Sequence, residues 1–304
     1  MAISRAQLVK ELEPGLNALF GLEYKRYDNQ HAEIYTNESS DRAFEEEVML
    51  SGFANANVKV EGSGVNYDQS QETYTARYTH DTIALAFAIT EEAIEDNLYD
   101  RISSRYTKAL ARSMSNAKQV KAAAPLNNGL PTADNFDSGD GVSLFNTSHT
   151  TVSGTNVKNT LTTQADLNET SLEQALIDIA AFTDERGLRV AAKGVKMIIP
   201  SANQFSAERL LKSQGRTGTA DNDINAVASM GMVPQGYRVN NFLTDSDSWY
   251  IITDCPNGMK MFTRAPLTTA MEGDFDTGNV RYKARERYSF GVSDYRGIFG
   301  CEGA

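Results

Sequence analysis

One stretch constrains this chain more than any other: Thr90 to Gly129, TEEAIEDNLYDRISSRYTKALARSMSNAKQVKAAAPLNNG, which reads as a single long helix followed by a loop. Thr90 is a natural N-cap, because a threonine oxygen accepts one of the backbone N–H groups that a helix start leaves unpaired. Glu91 and Glu92 put negative charge at the positive end of the helix dipole, and Lys118 and Lys121 sit near the opposite end. Between them Ile94, Leu98, Ile102, Tyr106, Ala109, Leu110, Met114, Ala117 and Val120 recur mostly at steps of three or four, which predicts one apolar stripe. Pro125 is expected to stop the helix. At 1.5 Å per residue the span from Glu91 to Ala123 predicts a rod of roughly 50 Å, more than one compact domain needs from a helix. The other face carries Asp96, Asp100, Arg101, Arg105, Lys108 and Arg112, and the steps of four from Ile94 to Tyr106 drift out of a heptad register. A half-buried helix lying on a sheet is therefore favoured over a coiled coil.

Ahead of this rod, Ser4 with Gln7 forms a capping box and Ile3 with Leu8 a hydrophobic staple, which predicts a short helix from about residue 4. Pro14-Gly15 is expected to interrupt it, and Glu23 to Ser40 is polar without clear period, so this part reads as an arm that packs on something other than a core of its own. From Phe44 the chain turns to strand. Val58-Lys-Val60 before Glu61-Gly-Ser-Gly64, together with the alternating Glu72 to Thr79, predicts a long hairpin whose polar middle, Glu61 to Gln71, projects into solvent or onto a neighbouring chain. Ile83 to Ile89 is an apolar strand leading into the rod.

After the rod, Leu126 to Asn168 is rich in Asn, Thr, Ser, Gly and Asp and reads as a surface excursion. Thr170 with Glu173 predicts a capped amphipathic helix ended by Gly187. Gly194 to Pro200 reads as a buried strand, with a short helix from Ser201 through Leu211. Ser213 to Asp223 reads as a mobile loop. The strands Tyr237–Val239, Trp249–Thr253 and Met259–Thr263, the last two across the turn Pro256-Asn-Gly258, predict a small α/β unit. Val280 to Phe290 alternates basic and aromatic residues.

Chemistry is hard to find. A net charge of -11 over 304 residues opposes sequence-independent binding of nucleic acid, because that binding rests on Lys and Arg replacing counterions. Cys255 and Cys301 form neither a disulfide framework nor a metal-spaced pair, which fits a reducing compartment. No signal peptide and no membrane-length apolar run stands in the sequence, so the chain reads as made and kept in the cytosol. His31, His80 and His149 lie far apart with no ligand partner at i+3 or i+4 and are expected on the surface or in loops. No dinucleotide loop, Walker loop or nucleophile elbow is present. Glu45-Glu-Glu47 and Asp245 to Asp247 read as solvated charge, and Arg281 to Tyr288 as a strand with one wet face in preference to a nucleic-acid contact. No catalytic, cofactor-binding or metal residue is assigned.

The order of parts, arm, long hairpin, long helix and small second unit, resembles the HK97-like major capsid proteins of tailed bacteriophages, over most of the chain. Ala86-Phe-Ala-Ile-Thr-Glu-Glu-Ala-Ile-Glu-Asp-Asn97, Asp140-Gly-Val-Ser-Leu-Phe-Asn-Thr-Ser-His149, Ala165-Asp-Leu-Asn168, Lys196-Met-Ile-Ile-Pro200 and Ala207-Glu-Arg-Leu-Leu-Lys-Ser213 are similar to stretches of Mu-like head subunits. The resemblance implies an α+β fold with an N-terminal arm at 1–43 and an extended hairpin loop at 44–85. It implies a peripheral domain with a spine helix on a β-sheet at 86–189, an axial α/β domain at 190–265, and strands at 266–304 that return to the peripheral domain.

The function implied is a non-enzymatic major head protein, assembled in the host cytoplasm and resident in the virion. It self-assembles through pentamers and hexamers into an icosahedral shell around double-stranded DNA, without sequence-specific DNA binding and without a membrane. The partners implied are its own copies, a separate scaffolding protein, a portal protein and, optionally, a decoration protein. Family members with a fused scaffold carry a long helical region ahead of the arm. Here Met1 lies almost at the arm, so a built-in scaffold is expected to be absent and the subunit is expected to keep its N-terminus. An encapsulin-like nanocompartment shell and an enzyme with an unrecognised site are the competing readings.

Overall fold

The computed structural model describes residues 5–90, 92, 99–130, 136–215, 223–274 and 278–304. The arm opens with a helix, Arg5–Arg26, that runs straight through Pro14 where an interruption was expected. An interior proline costs about 3 kcal/mol. Downstream of it Leu16 and Phe20 are buried against Leu110, Ala111 and Met114 of the spine helix and against Tyr282 and Ala284, and burying each large side chain returns roughly 1.5–3 kcal/mol. The helix is thus held by tertiary contact. The polar stretch after it, expected to lack structure, contains strand β1, Thr36–Ser39, paired parallel with a strand more than two hundred residues later.

The spine helix is described over Tyr99–Asn128, about 45 Å at 1.5 Å per residue. Its predicted start, including Ile94 and Leu98, lies outside the described residues, as does the Ser4 cap of the arm. Pro125 does not stop it. Near the C-terminus, where the last four carbonyls lack helical partners, the Tyr35 hydroxyl donates to Ala122 O at 2.6 Å and the Tyr250 hydroxyl to Leu126 O at 3.2 Å. The buried face is also turned from the predicted stripe. Tyr106, Ala109 and Val120 are exposed, while Ser103, Thr107, Leu110, Ala111, Met114, Ser115, Gln119, Ala122, Ala123 and Leu126 are buried. Small and polar residues occupy this face because a second helix packs against it; Gln119 accepts from His31 N at 3.1 Å and donates to Asp28 O at 3.2 Å, so its burial leaves no orphan.

Two four-stranded sheets organise the rest. The first has the order β1-β10-β11-β4, with β10 at Met259–Gly273, β11 at Val280–Val292 and β4 at Asp81–Ile89. The spine helix lies on its β4–β11 side, as the sequence predicts. The second has the order β12-β9-β7-β8, with β7 at Gly194–Ile199, β8 at Tyr237–Val239, β9 at Trp249–Thr253 and β12 at Ile298–Cys301. The expected hairpin across Pro256-Asn-Gly258 is therefore a crossing from one sheet to the other, with Asn257 at φ +59°. Residues 266–304 likewise divide: β11 stays in the first sheet, whereas β12 pairs with β9 of the second.

At this crossing Gly258 and Gly297 meet backbone to backbone. A Cβ on Gly297 would stand 2.2 Å from Gly258 Cα, with no flexible side chain to yield. Gly297→Ala is expected to lower stability by about 1–3 kcal/mol through overpacking, read as a drop in the thermal midpoint of the subunit; an unchanged midpoint would refute this contact.

The segment before the amphipathic helix is interior, not a surface excursion. Leu144, Phe145, Val157, Leu161 and Leu167 are buried, and so is Asn159, whose Nδ2 donates to Leu144 O at 2.7 Å and Tyr295 O at 3.2 Å. Polar composition misled here because the polar groups pair with one another. The following helix, Glu169–Ala180, is capped by Asn168 and Ser171 instead of Thr170 and Glu173, and ends well before Gly187, which makes a turn at φ +83°. The strand Gly194–Ile199 and the helical residues from Ser201 to Lys212 stand as predicted. Of the expected loop Ser213 to Asp223, residues 216–222 lie outside the described residues.

Candidate assembly surface

No convergent catalytic pocket organises this subunit; its distinctive surfaces are a hairpin, a basic sheet face and an exposed apolar cluster. The hairpin pairs β2, Phe44–Leu50, with β3, Glu72–Thr79, antiparallel from Phe44↔Thr79 to Leu50↔Glu72. Val58–Val60, expected to extend it, is not strand. The base is firmly seated. Tyr78 is buried edge-on against Phe262 at 4.8 Å between centroids, and its hydroxyl lies 2.5 Å from Ser293 Oγ. Lys260, buried in β10, binds Glu47 of the hairpin at 2.5 Å and Glu38 of the arm strand at 3.1 Å.

The tip is different. Between Ser51 and Gln71 the chain exposes Phe53, Val58, Val60, Val65 and Tyr67, with Val58 94% and Tyr67 96% accessible. Its fastenings to the rest of the subunit come from Arg186, which donates to Gln69 O at 2.6 Å and pairs with Asp68 at 3.3 Å. Five large apolar side chains on one projection, covered by nothing in their own subunit, mark a surface for a partner. Phe205, Ile224, Met230 and Met232 form a further exposed apolar set on the second unit, around the helices Gln204–Lys212 and Ala226–Met230.

Strand β11 has the wet face its alternation predicts. Arg281, Lys283 and Arg285 are exposed and Arg287 is half-buried, while Tyr282, Ala284, Glu286 and Tyr288 face inward. Across the sheet these cations register with Ala88, Ala86, Ala84 and Thr82 of β4 on one side and with Glu272, Ala270, Thr268 and Ala265 of β10 on the other. Arg281 pairs with Asp274; Lys283, Arg285 and Arg287 have no ion pair among the described residues. A cavity of about 600–700 Å³, bordered by Ala86, Ala270, Arg281 and Lys283, opens on the same face.

The histidines are not on the surface. His31, His80 and His149 are all buried. His149 stacks on Tyr295 at 3.9 Å and binds Asp140 at 2.6 Å and Asn159 at 3.1 Å, as part of the core. Burial beside Lys118 lowers the His31 imidazole to about 4. A buried cluster that sequence reasoning missed joins Arg296 to Glu185 at 2.6 Å, Asp294 at 3.2 Å and Thr183 O at 2.8 Å. Its members lie more than one hundred residues apart, so no local spacing signals them. Burial pushes both free thiols, Cys255 and Cys301, up and away from thiolate. Among the described residues, no group of three or more His, Cys, Asp or Glu is placed to hold a metal, and no helix is long and apolar enough to cross a membrane.

The fold is shared with known shells. The capsid subunit of an empty GTA particle superposes with a TM-score of 0.58 at 14% identity, over 91% of each chain. That of the Myoviridae phage XM1 gives 0.53 at 11% identity over 89% of each chain, and the virus-like particle from Pyrococcus furiosus gives 0.53 at 11% over 95% of this chain and 98% of the other. No curated protein matches by sequence. Spine helix on a sheet, seated hairpin, arm and second α/β unit together define an HK97-like capsid fold, the class of subunit that builds shells by contacts between copies. The phage capsid protein family matches residues 73–300, three quarters of the chain, and the chain belongs to that family. It is a structural, non-enzymatic protein of the virion capsid.

Proposed function

We propose that this subunit closes, through pentamers and hexamers, into an icosahedral shell around double-stranded DNA, and that the hairpin is the element by which one copy holds the next. The exposed apolar tip carries this reading, since it has no cover within its own subunit. In this proposal residues 1–43 are the arm, 44–85 the extended loop, 86–189 the peripheral domain and 190–265 the axial domain. Residues 266–304 are shared between the two domains. Electron microscopy of the purified protein tests it. Closed shells with five-fold and six-fold capsomers are expected, and a population of small discrete oligomers under all assembly conditions would refute it. Nucleic acid in particles from infected cells separates a phage head from a protein-filled compartment.

The landing place that fits the hairpin best is the basic sheet face of a second copy. From Phe44 to Thr79 the hairpin holds six carboxylates against two cations, a formal -4, and its apolar tip suits the alanine row beside the unpaired cations. Lys283→Glu with Arg285→Glu, both at exposed positions, is expected to leave the subunit folded and to raise the concentration needed for assembly on the order of ten-fold or more. High salt should weaken wild-type assembly as well, because 1 M salt cuts the Debye length to about 3 Å. Assembly of the variant at the wild-type threshold, measured by light scattering, would exclude this face.

Beyond its own copies, the partners proposed are a separate scaffolding protein, a portal protein and a decoration protein. Family membership alone supports them, and their presence or absence in affinity-purified assembling heads decides each.

A further inference from the structure

One residue, His80, separates the last strand of the hairpin from β4 of the sheet, and it is 5% accessible. Its Nε2 lies 2.9 Å from Ser40 Oγ, at the end of the arm strand, and its Nδ1 lies 3.0 Å from Ser289 Oγ, in β11. The Ser40 hydroxyl is committed: it donates to Glu45 Oε1, in the first strand of the hairpin, at 2.6 Å. Its oxygen must then accept from His80, which puts the imidazole proton on Nε2 and leaves Nδ1 to accept from the Ser289 hydroxyl. The result is a directed chain, Ser289 to His80 to Ser40 to Glu45, that joins the last long strand, the hairpin's exit, the arm and the hairpin's entry.

The charged groups around this chain are unbalanced. Arg264 of β10 and Arg287 of β11 face His80, and Glu45 is the carboxylate opposing them; the adjacent Asp81 is bound to Lys121 of the spine helix at 2.5 Å. The Nε atoms of Arg264 and Arg287 are buried without an acceptor. A protonated imidazole would bring a third positive charge to this corner, and its new Nδ1–H would force the Ser289 hydroxyl to turn and surrender the bond it donates.

We propose that His80 is a positioning residue for assembly: while neutral it fixes both strands of the hairpin at one attitude to the arm and sheet, and its protonation in mild acid frees the hairpin base. The proposal rests on the reading of the hairpin as the element that joins copies. Burial and the two guanidinium groups hold the imidazole below its ordinary value, so the folded subunit favours the neutral form. The unfolded histidine titrates near about 6.5. The stability of the pinned state is therefore undiminished above that pH, falls as the pH drops through it, and levels off once the depressed folded value has been passed.

Hydrogen exchange of the unassembled subunit, corrected for intrinsic rates, tests the pin without requiring shells. Going from about pH 7.5 to about pH 5.5, protection of 44–50 and 72–79 is expected to fall on the order of ten-fold in the wild type. His80→Gln, which retains an amide donor and acceptor but does not titrate, is expected to show a flat profile over the same range, and assembly yield should follow the same split. Equal pH responses in wild type and His80→Gln would overturn the proposal. Should His80→Gln fail to fold, the imidazole titration followed by NMR decides: a midpoint below about 6.5 supports the pin, and one at or above it overturns the pin. Ser289→Ala, which removes the donor to Nδ1, is expected to shift that midpoint upward; no shift counts against the relay. Shells absent at every pH would defeat the assembly reading, while the exchange measurement on the subunit would still decide the pin.

Discussion

Replacing residues 51–71 by a two-residue turn is expected to leave a folded subunit that no longer builds stable shells. The replacement removes Phe53, Val58, Val60, Val65 and Tyr67, none of which supports the core of its own subunit. It keeps Ala76, Tyr78 and Lys260, which seat the hairpin base. Circular dichroism and the thermal midpoint should stay close to wild type, apart from the loss of the Arg186 contacts at the surface, which are worth about 1 kcal/mol or less. Sedimentation should show the difference: shells for the wild type and slow-moving subunits or isolated capsomers for the variant. Truncated shells that withstand heat and denaturant as well as wild type would show that the tip joins nothing.

The largest effect on the subunit itself is expected from Arg296→Leu. The guanidinium is buried among Glu185, Asp294 and the Thr183 carbonyl, and it lies 4.5 Å from the Tyr295 ring centroid. Removing it strands two carboxylates in the interior. Breaking one partner out of a buried ion pair costs about 3–5 kcal/mol, since the remaining charge loses its compensation without regaining water. Burial already pushes the Asp294 carboxyl above the usual carboxylate range, and in the variant the guanidinium that opposes this is gone. Soluble yield and denaturation midpoint should fall sharply. Arg296→Leu combined with Glu185→Leu and Asp294→Asn is expected to recover part of the loss, because it replaces the charges and does not orphan them. A single variant as stable as wild type would mean that the cluster contributes nothing.

Several elements were legible in the sequence because their signals are local. The alternation in Glu72–Thr79 and Val280–Val292 needs only neighbours two apart, and the strand Gly194–Ile199 with its following helix is bounded by residues next to it. The projecting middle of the hairpin could be read from composition, since it has too little apolar surface to build its own core. The order of these parts, set beside the family resemblance, was enough to name the fold.

What the sequence alone determined, then, is where helices and strands form and that the hairpin tip stands apart; the tertiary structure decided which faces are buried and which polar residues are interior. Pro14 stays helical because Leu16 and Phe20 find the spine helix, and Pro125 because Tyr35 and Tyr250, distant in the chain, reach the helix end. Asn159 and the three histidines are buried because their partners come from other elements, up to two hundred residues away. Even the last strands are sorted between two sheets by pairing and not by pattern. The physical reason is the same throughout: backbone propensity and hydrophobic period act over a few residues, whereas the desolvation of a polar group is offset only by partners that the folded chain brings to it.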